Sequence, residues 1–134
     1  HMKSLYLLIC LAFPISLISQ QHVSSFNTIK PSTTFDNIHV KKLSTDSNST
    51  TFAIWVKQKV KIHKHTQHVE NIYISEGSGV FYLADSVFNI KSGDLIVVPK
   101  NTWHGVDVNS NIPLKVLSVQ SPEFIGNDRV FQDQ

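Results

Sequence analysis

Cysteine is almost absent from this sequence, which contains a single such residue, Cys10, among its 134 positions. One thiol cannot form an intramolecular disulfide, so the fold must be stable without cross-links of this kind. Cys10 also lies inside an apolar run from Leu5 to Ile18 that follows Lys3, which is the layout of a secretory signal. If that segment is removed during export, the remaining chain has no cysteine.

Residues 1–20 are therefore predicted to combine a cloning remnant, His1 before Met2, with a signal peptide that is cleaved near Ser19 or Gln20. The apolar run is short for a transmembrane helix and is interrupted by a proline, so no stable membrane anchor is expected. On this interpretation the protein is exported, to the periplasm or to the medium. The alternative is that the segment forms the first strand of the fold.

An excess of charge of either sign is also absent, because the formal net charge is +2 and only 16% of the residues are charged. A strongly basic surface of the kind that binds nucleic acids is not expected, and no nucleic-acid partner is predicted. A chain of this length corresponds to about one domain. Residues 21–35 are polar and have no regular period, which predicts a linker or N-terminal arm before a domain at 36–134.

Helical periodicity and internal repeats are missing throughout the chain. Short runs rich in Val, Ile, Phe and Tyr alternate instead with turn residues, a pattern that predicts an all-β fold. Nine strands are expected, at about residues 38–43, 52–58, 60–65, 69–75, 80–83, 87–90, 95–98, 103–108 and 114–119. The tail after them is expected to form a strap.

Histidine is concentrated in one stretch, IHKHTQHVE, at residues 62–70. Alternate residues of a strand project from the same face, so His63 and His65 are expected to point the same way. Glu70 falls on the next strand in phase with Ile72 and Ile74, which places its carboxylate on an apolar interior face. A buried carboxylate requires a partner, and a cation is a suitable one.

A further histidine, His104, is in phase with the apolar residues Val106 and Val108 on a later strand. Three strands could in this way direct three imidazoles and one carboxylate toward a single point inside a barrel. A histidine alone on a strand is usually an ordinary polar side chain. The joint spacing is what favours a metal site.

The same residues resemble the two motifs of the cupin superfamily. The first motif has the form HxH, three or four residues, E, six residues, G, and is matched by His63, His65, Glu70 and Gly77. The second has a glycine, five residues, a proline and a histidine five positions later, and is matched by Gly93, Pro99 and His104. This sequence departs from the pattern at Asn101, which replaces a glycine but tolerates a left-handed turn.

This resemblance covers about residues 36–125 and implies a cupin jelly roll, a single all-β domain of two antiparallel sheets. It also implies one divalent transition metal held by His63, His65, Glu70 and His104. Fe, Mn, Ni, Cu and Zn all remain open as its identity. Cupins commonly pair through strand edges and outer sheet faces, so a homodimer is expected.

Four protein ligands leave one or two positions open on a metal that prefers five or six. Our first hypothesis is a metal-dependent enzyme that acts on a small molecule. A dioxygenase-like oxidoreductase is favoured over a lyase or isomerase, because the interior neighbours of the ligands offer no second acid or base. The alternative is a non-catalytic module that uses the metal to bind or sense a small, anionic ligand.

Two features near the first motif can be interpreted in more than one way. His68 shares the phase of Glu70 and is a candidate catalytic residue, as a proton shuttle at the barrel mouth, or a spare metal ligand, or else a solvated turn residue. Lys57, Lys59 and Lys61 would face inward with the histidines if the strand alternated without interruption, and buried charges are costly. A bulge or turn between Lys57 and Lys61 is therefore predicted, which leaves these lysines solvated at the rim.

Overall fold

A computed structural model describes residues 23–132 of the chain. The predicted signal segment at 1–20 lies outside the described residues. No helix within residues 23–132 is long and apolar enough to cross a membrane. The elements are a 3₁₀ helix at Phe26–Thr28 and the strands β1 Ile38–Thr45, β2 Thr50–Val56, β3 Lys59–His65, β4 Val69–Glu76, β5 Ser78–Leu83, β6 Ser86–Lys91, β7 Leu95–Val98, β8 His104–Val108, β9 Leu114–Ser121 and β10 Arg129–Phe131.

The strands form two antiparallel sheets that face each other. One sheet has the order β1-β2-β9-β4-β7 and the other has the order β10-β3-β8-β5-β6. The prediction of a single all-β domain with two antiparallel sheets is confirmed. All nine expected strands occur within a few residues of their predicted bounds. The tail contributes one more strand, β10, which pairs with β3 at the edge of its sheet.

Aliphatic side chains fill the space between the sheets because inward and outward residues alternate along each strand. On β4, Ile72 and Ile74 face inward and are almost fully buried. Val106 on β8 and Val116 on β9 belong to the same buried cluster. Glu70 precedes the two isoleucines on the inward face of β4, so polar side chains occupy one end of the interior and the aliphatic core occupies the rest.

The strand that carries two of the histidines contains an irregularity. The pairing of β3 with β8 shifts register between Val60 and His63. Lys57, Lys59 and Lys61 are all exposed. The predicted interruption is therefore present, as a bend at residues 57–58 between β2 and β3 that is followed by the register shift. It allows Val60 and His63 to face the interior while the lysines remain in water, which avoids the cost of burying their charges.

The described part of the N-terminal arm is held against the outer side of β9 by a buried lysine. Lys115 is only 1% exposed, and its ammonium donates to the carbonyl oxygen of Phe26 at 2.8 Å and to Glu76 at 3.3 Å. The ammonium also lies 4.8 Å from the centre of the Phe26 ring. These partners satisfy a charge that would otherwise be costly to bury.

Replacing Gly105 by alanine should destabilise the fold beside the histidine-bearing strands. A Cβ atom at Gly105 would lie 2.8 Å from the carbonyl oxygen of Val60 and 2.9 Å from the Cδ1 atom of Ile62. Overpacking of this kind lowers the free energy of unfolding by about 1–3 kcal/mol. Urea denaturation measures the change, with exposed Lys59→Ala as a control expected within about 0.5 kcal/mol of the parent. Equal stability of Gly105→Ala and the parent would contradict the close contact.

Candidate metal centre

The four residues predicted from the motifs lie together at one end of the interior. His63 and His65 project inward from β3, Glu70 projects inward from β4, and His104 begins β8. All four are buried, with exposed fractions of 5%, 1%, 5% and 2% in that order. The two sheets therefore each contribute to the cluster, because β3 and β8 belong to one sheet and β4 to the other.

Their donor atoms converge on one small region. The Nε2 atoms of His104 and His65 lie 3.3 Å and 3.6 Å from the Oε2 atom of Glu70. His63, His65 and His104 each offer a ring nitrogen, and these nitrogens lie within 4.8 Å of one another. Ligand atoms bonded to one cation at about 2.0–2.2 Å are separated by about 3–4 Å. The two distances from Glu70 to His104 and His65 are of this size.

Each imidazole has its tautomer fixed by a hydrogen bond from Nδ1. His63 Nδ1 donates to the carbonyl oxygen of Lys61 at 2.9 Å, and His104 Nδ1 donates to the carbonyl oxygen of Thr102 at 3.0 Å. His65 Nδ1 donates to the carboxylate of Asp128 at 3.2 Å. A proton on Nδ1 leaves the lone pair of Nε2 available, which is how metal-binding histidines are commonly held.

The position of His104 depends on the turn before β8. Asn101 adopts a φ angle of +57°, and its backbone N–H donates to the carbonyl oxygen of His65 at 2.7 Å. The expectation that asparagine tolerates a left-handed conformation at this position is confirmed. The turn is thereby tied to β3, which brings His104 beside His63 with a ring separation of 4.2 Å.

Glu70 is ionised in this environment although it is buried. Burial alone would raise the pKa of its carboxyl group, but the adjacent imidazoles of His104 and His65 and a hydrogen bond from Ser118 outweigh burial and hold that pKa well below its ordinary value. On β9, the hydroxyl group of Ser118 donates to Glu70 Oε1, and the amide of Gln120 donates to the same oxygen at 3.3 Å. These two contacts leave Oε2 directed at the histidines.

The pKa values of two of the histidines are displaced in opposite directions. Burial, together with the nearby charge of His104, lowers the pKa of His63 from 6.5 to about 4. Burial also opposes protonation of His65, but the carboxylates of Glu70 and Asp128 outweigh it and raise the pKa of His65 above 6.5. His63 is thus neutral at neutral pH, as a metal ligand must be.

Buried polar atoms without partners mark the centre of the cluster. Within residues 23–132, the Nε2 atoms of His65 and His104 and the Oε1 atom of Gln120 are buried and make no hydrogen bond. Unpaired buried polar atoms are rare because each costs free energy. A cation bonded to the Nε2 atoms would satisfy the two histidines. The mixed imidazole and carboxylate donors fit a divalent transition metal.

Apparent affinity for Zn²⁺ should fall as the pH decreases. His63 Nε2 is already unprotonated above about pH 4, whereas His65, whose pKa is raised above 6.5, must lose a proton before its Nε2 can bind. Below the pKa of His65, the Kd should therefore rise by up to about tenfold for each pH unit. Competition titrations against a chromophoric chelator at about pH 6, 7 and 8 measure this, and a Kd that did not vary would contradict it.

The sequence did not reveal Asp128, which lies behind two of the histidines. Its carboxylate contacts Nδ1 of His65 through one oxygen and Nδ1 of His68 through the other. Asp128 is itself buried. No motif spacing links it to residues about sixty positions earlier.

His68 is buried and not solvated, so the turn-residue interpretation is wrong. Its exposed fraction is 1%, and its Nε2 donates to the carbonyl oxygen of Glu123 at 2.8 Å while Nδ1 contacts Asp128. Both ring nitrogens are therefore engaged. His68 lies next to Asp128 on the side away from the donor atoms of the cluster, and its catalytic role stays a prediction.

A cavity connects the cluster to the surface. Its inner part has a volume of about 90 Å³. Aliphatic side chains that include Ile54, Ile72 and Val106 line this part, and its polar lining consists of the four clustered side chains, Gln120 and Arg129. A second cavity of about 410 Å³ adjoins it at the mouth between the two sheets. It is lined by Val40, Phe52, Ile54, Gln120, Phe124, Gly126, Arg129 and Phe131.

Known proteins with related sequences are similar to the central part of the chain. Residues 50–120 match the family model of the cupin domain. An uncharacterized protein of Methanocaldococcus jannaschii is 37% identical over 73 residues, which are 54% of this chain and 58% of that protein. An uncharacterized protein of Aquifex aeolicus is 28% identical over 95 residues, which are 71% of this chain and 78% of that protein. The chain thus spans little more than half the length of the first of these relatives.

Solved structures share the fold at low sequence identity. A Klebsiella pneumoniae protein with a double-stranded β-helix domain has a TM-score of 0.70 at 15% identity, over 86% of this chain and 100% of that one. KdgF from Halomonas has a TM-score of 0.63 at 20% identity, over 66% and 82% of the two chains. Pac13, a nucleoside dehydratase of Streptomyces, has a TM-score of 0.62 at 22% identity, over 73% and 82%.

These comparisons agree with the observed fold. The matched residues contain β2 to β9 almost in full, including all four clustered side chains. They account for more than half of the chain. The chain therefore belongs to the cupin domain family.

Proposed function

We propose that this cupin is a metal-dependent enzyme of the dioxygenase-like oxidoreductase type that acts on a small molecule. The observation that carries the proposal is the convergence of three imidazoles, each fixed by a hydrogen bond from Nδ1, two of which also contact Oε2 of Glu70. The cluster lies at the inner end of a cavity that a small molecule can enter.

A bound redox-active metal such as iron would supply electron transfer to dioxygen and a Lewis acid for the substrate. The protein's part is to hold the ligands, through Asp128, Ser118 and the backbone carbonyl groups, and to surround them with aliphatic walls. Four donors leave room for both a substrate group and a small second reactant. The carboxylate of Glu70 also offsets part of the cation's charge inside the barrel.

The composition of the inner cavity favours oxidation over acid–base chemistry. Among the described residues that line it, the only carboxylates and imidazoles are the four clustered ones. A lyase or isomerase would need a further positioned acid or base. Incorporation of dioxygen into a substrate that supplies the electrons needs no such group and no second reductant.

Oxygen uptake by iron-loaded protein tests the proposal. A panel of thiols, enols, dicarboxylates and phenolics is screened with an oxygen electrode, and products are identified by mass spectrometry. The expected result is substrate-dependent uptake by the parent and none by Glu70→Gln, which has lost the anionic ligand. Saturable binding without oxygen uptake or conversion would instead support the non-catalytic binding or sensing module.

Export and pairing into a homodimer are further proposals. Export is supported by the lysine and apolar run within residues 1–20, and dimerisation by the resemblance to other cupins. Sequencing of the mature N-terminus after expression with an intact secretion system tests the first. Light scattering coupled to gel filtration tests the second.

A further inference from the structure

We propose that Arg129 forms an anion-binding subsite at the mouth of the cavity and binds the carboxylate or phosphate group of a ligand whose other end reaches the four clustered side chains. This inference rests on the proposed function, since it assumes that the cluster holds a metal. It goes beyond that function by assigning Arg129 as the residue that selects the ligand, and carboxylates and phosphates as the groups that Arg129 selects.

The position of Arg129 follows from the pairing of β10 with β3. Arg129 lies opposite His65, and Phe131 lies opposite His63. Directly opposite residues on neighbouring strands share a face of the sheet. Because both histidines face inward, Arg129 and Phe131 lie on the same side of the sheet at its exposed edge, and the Phe131 ring lies 5.8 Å from the ring of His63.

Arg129 lines both the inner and the outer cavity. The residues common to the two are Val40, Ile54, Gln120 and Arg129. Arg129 is the only one of these four that carries a charge. A ligand that extends from the inner into the outer cavity would therefore lie beside the guanidinium group.

The guanidinium group has no partner within the described part of the chain. No hydrogen bond or ion pair involves it among residues 23–132. The neighbouring carboxylate of Asp128 is directed at His65 and His68 instead. The charge of Arg129 is nevertheless felt at the cluster, where it contributes, after burial and the charge of His104, to the lowered pKa of His63.

An unpaired cation beside a metal site opposes metal binding, because the two positive charges repel each other. An anionic group between them would be attracted by both. The planar guanidinium fork matches the paired oxygens of a carboxylate or phosphate in particular. The arrangement therefore favours anionic ligands over neutral ones of the same shape.

The cavity dimensions define the rest of the ligand. Complete small-molecule sites usually have volumes of about 300–1,000 Å³. The inner cavity, at about 90 Å³, admits only a small oxygen-bearing end. The outer cavity has aromatic walls formed by Phe52, Phe124 and Phe131, which suit an apolar segment. The expected class is a small molecule with an anionic group separated by a short apolar spacer from a metal-binding group.

Calorimetric titration of zinc-loaded protein tests the subsite without turnover. The probes are acetate, succinate, glutarate and 3-phosphonopropionate, and the proteins are the parent, Arg129→Gln and Arg129→Lys. At least one of the longer probes should bind the parent ten times or more tightly than it binds Arg129→Gln, with part of the affinity recovered by Arg129→Lys. The Kd for acetate, which has no second group to bind the metal when its carboxylate binds Arg129, should change less than twofold.

The zinc content of each variant separates the outcomes. Arg129→Gln should hold as much zinc as the parent or bind it more tightly, because a repelling charge has been removed. Suppose that the parent holds zinc. The subsite is then refuted, while the metal centre stands, if every probe binds Arg129→Gln within twofold of its affinity for the parent. The same conclusion follows if no probe binds the parent. If the parent holds no zinc, both proposals fail. The preferred probe distinguishes a carboxylate from a phosphate ligand.

Discussion

Replacing His104 by alanine is expected to abolish stoichiometric metal binding. The substitution removes one of three imidazole nitrogens and the closest nitrogen neighbour of Glu70 Oε2, at 3.3 Å. Loss of an outer partner of a ligand already costs about 10–100-fold in affinity, so loss of a ligand should cost more than about 100-fold. Metal analysis of purified protein after dialysis against buffer without chelator measures the change.

Thermal unfolding gives a second readout for His104→Ala. A ligand present at about 100 times its Kd stabilises the folded state by about 2.7 kcal/mol, and the variant should not gain this stabilisation when metal is added. Without metal the variant should still be less stable than the parent, since Glu70 keeps its charge but has lost a neighbour. His39→Ala, outside the cluster, is the matched control and should respond to metal like the parent. Unchanged metal content in His104→Ala would refute the assignment of this ligand.

Replacing Asp128 by asparagine is expected to weaken metal binding by about 10–100-fold without removing a ligand. The carboxylate holds His65 in the tautomer that frees Nε2, and its negative charge makes the imidazole a better donor. An amide is neutral and of nearly the same shape, so the change isolates the charge and the acceptor. The Kd for Zn²⁺ is measured by competition with a chelator, alongside stability in urea.

Two other variants distinguish the role of Asp128 in positioning His65 from a role in the stability of the fold. Asp107→Asn makes the same chemical change at an exposed carboxylate that accepts a hydrogen bond from Tyr82, and should leave the Kd unchanged. His68→Ala removes the second partner of Asp128 and should lower stability while the protein keeps its metal. If His68→Ala lost its metal, His68 would have to be a ligand. If Asp128→Asn bound Zn²⁺ like the parent, the role of Asp128 would be structural only.

The four side chains of the cluster could be predicted from the sequence because a local rule indicates the direction in which each one points. The alternation of a strand places His63 and His65 on one face, and the apolar neighbours of Glu70 and His104 identify which face is interior. The lysines before His63 even revealed the register shift, since burying them would have been costly.

The residues that support the cluster could not be predicted in this way. Ser118, Gln120 and Asp128 contact it from β9 and from the segment before β10, about fifty to sixty positions along the chain from the residues they hold. A polar side chain on a strand gives no indication of which distant partner it will meet. The same applies to His68, whose burial depends on Asp128 and on the backbone of Glu123.

The sequence alone determined an all-β domain and the identity of the four clustered side chains, because both depend on short-range alternation and spacing within the strands. Tertiary structure decided what surrounds them. The return of the tail as β10 places the carboxylate of Asp128 behind His65 and the guanidinium group of Arg129 at the mouth of the cavity. Pairing between strands so far apart is set by the packing of the two sheets as a whole, and no local pattern in the tail specifies it.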